Sequence, residues 1–183
     1  MSLARTRIVV RLLAVFTLAA LTAGCFHPMY AENTDGTPGL RDKLLGVELP
    51  PVDKPNASPE ARIGVEIRNA LAFKLYGTAT GTAPTHRLVL RFTTSKSSLI
   101  IDPNTGLPTS ENLGIDAQYN LIEIDSNKSV MTGTTFSRVT YDMPGSYQRF
   151  ARARALRDAE DRAAQEIAEN IQTRLASFFY AGT

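Results

Sequence analysis

The chain has 183 residues, with 20 lysines and arginines against 18 aspartates and glutamates, a formal charge of +2 and a single cysteine. That length holds one domain with a sizeable core, and one cysteine excludes a disulfide within the chain. An apolar share of 43% with 21% charged residues is ordinary for a globular protein and excludes a disordered or low-complexity one.

Residues 1–24 have the order of an export signal: Arg5, Arg7 and Arg11 without an acid, an apolar run from Leu12 to Leu21, then small residues. The run is about ten residues, roughly half of what a bilayer-spanning helix needs, so it addresses the chain without becoming a span. Its removal leaves 159 residues and a formal charge of −1. The pI near 8.8 therefore belongs largely to the leader, and no nucleic-acid partner is expected. Leu21-Thr22-Ala23-Gly24-Cys25 resembles the lipobox of bacterial lipoproteins, with Thr22 where Leu, Val or Ile is usual. The resemblance implies a cut before Cys25, a diacylglycerol thioether on its sulfur and an acylated new amine. At about 0.8 kcal/mol per buried methylene, two or more chains hold a domain on a membrane. The alternative is an ordinary secretory signal followed by an incidental thiol.

From Phe26 to Asp42 the sequence is polar and turn-rich, so residues 25–43 are assigned to the lipidated cysteine and a tether, and 44–183 to one domain. His27 reads as part of the spacer rather than as a metal ligand. Leu45, Val47 and Leu49 alternate with Gly46 and Glu48, which predicts a strand over 44–49 that Pro50-Pro51 ends. Ser58 followed by Pro59 is an N-cap signal, and Ile63, Ile67, Leu71 and Leu75 then recur at helical spacing up to Gly77.

After a loop through Thr85, Leu88, Leu90 and Phe92 alternate with Arg87, Val89 and Arg91, predicting a strand with its basic face outward. Asp102-Pro103-Asn104-Thr105-Gly106 is a turn, and Leu99-Ile100-Ile101 before it is read as a buried strand end. The other reading of that triplet is a loop that touches a barrel wall or lipid. The next strand sets Leu113, Ile115, Ala117, Tyr119 and Leu121 on one face, and its alternation slips at Ile122 to Ile124, where a bulge is expected. A turn at 125–128 leads into a threonine-rich strand over 129–141, and a long helix is predicted from Tyr147 to Phe179. Its outer face, with charges of both signs four apart as in Arg157 with Asp161 and Asp158 with Arg162, reads as solvated. The order β-α-β-β-β-α predicts an α+β two-layer sandwich, with a four-stranded, mainly antiparallel sheet and two helices on one face.

Catalysis is not expected. No histidine accompanies a serine nucleophile pattern, no glycine-rich loop could cradle a phosphate, and no metal ligands cluster, so neither cofactor nor metal is predicted.

Three stretches, taken with the lipobox, resemble a known family: the helix segment 68–75, the strand segment Ala117-Gln118-Tyr119-Asn120-Leu121, and the helix segment 150–164. Their order and spacing are similar to those of the LPS-assembly lipoproteins, the LptE family. The resemblance implies a small α+β lipoprotein on the periplasmic side of the outer membrane, seated in the β-barrel translocon LptD as plug, assembly aid and lipopolysaccharide-binding component. Phe26 after the cysteine fits outer-membrane sorting. The alternative is a lipid-anchored periplasmic scaffolding or binding lipoprotein of another envelope transport complex.

Binding lipopolysaccharide needs cations for its phosphates, best supplied by arginine as a bidentate donor. Strand alternation singles out Arg91, Lys96, Lys128 and Arg138 as candidate lipopolysaccharide contacts, and the alternative for each is a scattered surface charge.

Overall fold

The computed structural model describes residues 36–77, 83–143 and 148–181. The leader, Cys25 and most of the expected tether lie outside these residues. The chain divides after Gly39, and every element described belongs to the unit beginning at Leu40.

That unit opens with helix α1, Leu40–Leu45, followed by strand β1, Val47–Glu48. The predicted strand over 44–49 is thus mostly replaced. Leu40 and Leu44 are one helical turn apart and both are buried, and the Gly46 N–H donates to the Asp42 carbonyl at 3.2 Å as the turn ends. Two apolar residues at i and i+4 are too short a period to stand out in a polar stretch. Pro50 and Pro51, lacking N–H groups, then cut the strand to two residues.

Helix α2, Pro59–Tyr76, follows its sequence signals closely: Ser58 Oγ accepts from the Ala61 N–H at 3.0 Å, and Gly77 closes the helix at φ 58° with its N–H on the Phe73 carbonyl. Only a residue without a side chain adopts that conformation cheaply. Three long strands follow: β2 at His86–Ile101, β3 at Pro108–Glu123 and β4 at Lys128–Asp142. The sheet order is β1-β2-β3-β4, with β1 parallel to β2 through Val47–His86 and Glu48–Arg87 and the rest antiparallel. The expected slip appears as a register shift between Leu121 and Ile122.

Helix α3, Arg149–Ala181, is about 50 Å long at 1.5 Å per residue and runs back along the sheet. Of the stripe its spacing predicts, Leu156, Ala159, Ala163, Ile167, Ile171, Leu175 and Phe178, the stretch from Ala159 to Leu175 is buried, whereas Leu156 and Phe178 are partly covered and Phe179 takes the buried place at the end. The register row Phe92–Ala117–Thr135 shows that both long helices share one face. Phe92 lies under Gly64 of α2, and Thr135 accepts from Asn170 of α3. Each fully buried aliphatic side chain of this layer contributes about 1.5–3 kcal/mol, so the α+β sandwich is held chiefly by β4 under α3 and by α2 against α3.

The open edges are blunted by cations. Lys54 donates to the Phe92 carbonyl at 2.9 Å on the β2 edge, and Arg162 to the Thr140 carbonyl at 3.4 Å on β4.

The Leu99-Ile100-Ile101 triplet is not a buried strand end. The β2–β3 hairpin extends past the helices, and the three side chains are 53%, 60% and 60% exposed. Of the two charge pairs expected on α3, Asp158 and Arg162 form one at 2.8 Å, whereas no ion pair joins Arg157 to Asp161.

Candidate functional site

The sheet face turned away from the helices is polar, as its alternation predicts. Its central rows, read across β2, β3 and β4, are Val89–Asn120–Thr132, Arg91–Gln118–Thr134, Thr93–Asp116–Phe136 and Ser95–Gly114–Arg138. Shallow depressions of about 480 and 740 Å³ lie over these rows, and Arg91 borders both.

The three arginines of this face differ in how they are held. Arg87 donates to Glu48 at 2.8 Å. Arg138 donates to Asp116 at 2.7 Å and to the Ile115 and Ser137 carbonyls at 3.2 and 2.9 Å, and its guanidinium lies 5.5 Å from the Phe136 ring centre. It can lie across β3 because Gly114 carries no side chain: a Cβ there would sit 3.2 Å from both Cδ and Nε of Arg138. Arg91 makes no ion pair among the described residues. The two carboxylates of this face from Arg87 to Arg138 are therefore already matched, and Arg91 leaves a net positive charge among amides and hydroxyls. A planar guanidinium with free donors in such surroundings fits a phosphate or carboxylate bidentately.

The four residues singled out by sequence do not form one cluster. Arg91 and Arg138 share the open face. Lys96 pairs with Leu113, which is buried under the helices, so it projects from the opposite face. Lys128 stands opposite Glu123, which also pairs with His86, and so lies about 33 Å along the sheet from Lys96 at 3.3 Å per residue. Sequence reasoning passed over Phe136, which is 64% exposed beside Arg91 and Arg138; its place in the alternation Thr134, Phe136, Arg138 was the available signal. Among the described residues no acidic, histidine or cysteine groups gather in a way that could hold a metal. Titrating groups elsewhere are shifted mostly by burial, which raises the Tyr76 and Tyr119 phenols and, with the Glu111 carboxylate that accepts from it, raises Tyr141.

Residues 45–175 match the family described as LptE, lipopolysaccharide-assembly. The chain belongs to the LptE family. No curated protein matches the sequence significantly. The fold is shared with a Caulobacter crescentus CB15 protein solved as a lipoprotein, at 23% identity and a TM-score of 0.61 over 79% of this chain and 97% of that one. It is also shared with lipoprotein B of Nitrosomonas europaea, at 13% identity and a TM-score of 0.50 over 74% and 83%. The rare lipoprotein B of Shewanella oneidensis aligns at 17% identity and a TM-score of 0.49 over 72% and 94%. LptE membership gives the chain a role in lipopolysaccharide assembly, which fits a location in the cell envelope. No described helix is long and apolar enough to cross a membrane.

Proposed function

We propose that this LptE-family chain is an outer-membrane lipoprotein, anchored through Cys25 on the periplasmic side. It partners the LptD β-barrel as plug and lipopolysaccharide-binding component, without catalysing a reaction. The observation that carries the lipopolysaccharide contact is Arg91: a guanidinium without an ion pair among the described residues, on an open face whose carboxylates are already matched. A sheet face of amides, hydroxyls and paired charges is also suited to a hydrated barrel interior, where an apolar face would be left against water. Of the four candidates, we take Arg91 as the centre of the contact, with Arg138 on the same face, two strands over and four residues along, as a cation already held by Asp116. Lys96 and Lys128 are assigned to separate surfaces.

The partner is tested by purifying the C-terminally tagged protein from detergent-solubilised envelopes. Recovery of the LptD barrel in equimolar amount with lipopolysaccharide is the expected result. Recovery of an inner-membrane transport complex instead would overturn the partnership, and loss of envelope association in a Cys25→Ala variant tests the anchor.

A further inference from the structure

On the open face the ring of Phe136 is out of keeping with its surroundings. It is 64% exposed in the row Thr93–Asp116–Phe136, between rows of amides and hydroxyls, where the sheet gives it little to pack against. Nor is it loose. The Arg138 guanidinium lies over the ring at 5.5 Å and is itself tied to Asp116 and to the Ile115 and Ser137 carbonyls, an arrangement that the missing side chain of Gly114 allows. A ring fixed from one side and left in water on the other is a platform, and it borders the depression of about 480 Å³.

The polar groups beside the ring are uncommitted. The side chains of Thr93, Gln118 and Thr134 make no hydrogen bond among the described residues, and Asn120, whose Oδ1 accepts from Ser129 Oγ at 2.5 Å, keeps its amide N–H groups. Arg91, Gln118 and Thr134 line both depressions, so the two adjoin as one trough along the face. From the row of Val89 to that of Ser95 the strands extend about 20 Å, room for several sugar-sized rings.

This chemistry narrows the occupant. An acyl chain would leave the threonines and amides unpaired in an apolar contact. A nucleic-acid strand brings a charge with every residue, against one unmatched cation here. A sugar ring, in contrast, has a side of C–H groups that stacks on an aromatic ring. Its rim of hydroxyls donates and accepts, as the threonine hydroxyls and the Gln118 carboxamide do. An acidic sugar adds the carboxylate that a lone guanidinium takes bidentately.

We infer that the trough holds the saccharide part of an anionic glycolipid. One sugar ring lies on Phe136, its neighbours hydrogen-bond to Thr93, Gln118 and Thr134, and the carboxylate of an acidic sugar pairs with Arg91. The inference rests on the reading that the open face takes lipopolysaccharide, and it assigns that face to the sugars rather than to the acyl chains or lipid phosphates. A hydrated saccharide also suits a plug, since it can lie between the polar face and the polar lining of a barrel.

The probe is core oligosaccharide released from the lipid by mild acid, stripped of phosphate with hydrofluoric acid and retaining its acidic sugar. It is titrated onto the full-length chain in detergent while the Gln118 side-chain amide and the Phe136 ring are followed by NMR. Wild type should bind it and shift both signals. Phe136→Leu, apolar but not aromatic, should lose several-fold in affinity, and Phe136→Tyr should restore it. Reducing the sugar carboxylate to an alcohol should weaken wild type several-fold and make no difference to Arg91→Gln. Failure of the oligosaccharide to bind, while whole lipopolysaccharide still binds through Arg91, would overturn the inference and leave the lipopolysaccharide reading standing; failure of both ligands would overturn both. Saccharide binding that is indifferent to Phe136→Leu, or to carboxylate reduction in wild type, would overturn the inference as well.

Discussion

Glu160 of α3, with 1% of its side chain exposed, accepts an ion-paired hydrogen bond from Arg62 of α2 across the interface between the two long helices. A carboxylate this deep depends on its partner, because the carboxylate's desolvation is offset only while the guanidinium is in place. Arg62→Ala is expected to lower stability by about 3 kcal/mol in urea unfolding, since it strands a buried charge. Converting both residues to leucine should recover most of that loss. A cost for Arg62→Ala no larger than that of an ordinary surface substitution would contradict this account of the helix interface.

Gly133 pairs with Tyr119 across β3 and β4, and the Tyr119 ring lies over it: a Cβ at position 133 would overlap the phenol end of the ring. The ring cannot swing aside, because Tyr119 is buried in the same core. Gly133→Ala should therefore destabilise by about 1–3 kcal/mol, the cost of overpacking. Thr134→Ala, one residue on and facing the open side, should stay within about 0.5 kcal/mol. Equal effects of the two changes would mean that the ring is free to move.

His86 meets the Phe179 ring edge-on at 5.1 Å and lies beside Thr85 Oγ1 at 2.9 Å, with Glu123 as its cross-strand neighbour. Burial lowers its pKa below the ordinary 6.5, and Glu123 opposes that only in part. The unfolded chain then binds the proton more readily than the folded one. The stabilising share of neutral His86 is full above the ordinary value and is lost as pH falls through it toward the lower folded value. Between about pH 7.5 and pH 5.5 the wild type should lose more stability than His86→Gln, measured as the difference in urea midpoints. Parallel curves would show that His86 is not linked to folding.

Much of the sandwich was legible because its long elements repeat one period many times. The stripe from Ala159 to Leu175 and the alternation from Leu113 to Leu121 each run long enough to fix a face. What escaped lacks that redundancy. Leu40 and Leu44 make one helical turn in a polar stretch, and Leu99-Ile100-Ile101 has no alternation, so nothing local says whether it is covered. Glu160 sits among charges spaced like surface pairs, and only Arg62, nearly a hundred residues away, makes it an interior group. At the site, alternation marked Arg91 as outward-facing, but only the register across β3 puts Arg138 on the same face. Lys96 fell on the other by strand parity, and Lys128 lay far along the sheet, a separation invisible without the register.

Titration of lipopolysaccharide onto Arg91→Glu and wild-type protein, with thermal unfolding measured on the same samples, addresses the open face most directly. Arg91 is exposed and without an ion pair among the described residues, so its replacement should leave unfolding unchanged within about 0.5 kcal/mol. Loss of a charge-assisted contact of about 1.5–3 kcal/mol should weaken binding by roughly tenfold or more. Unchanged affinity in a folded Arg91→Glu variant would contradict the assignment of this face to lipopolysaccharide.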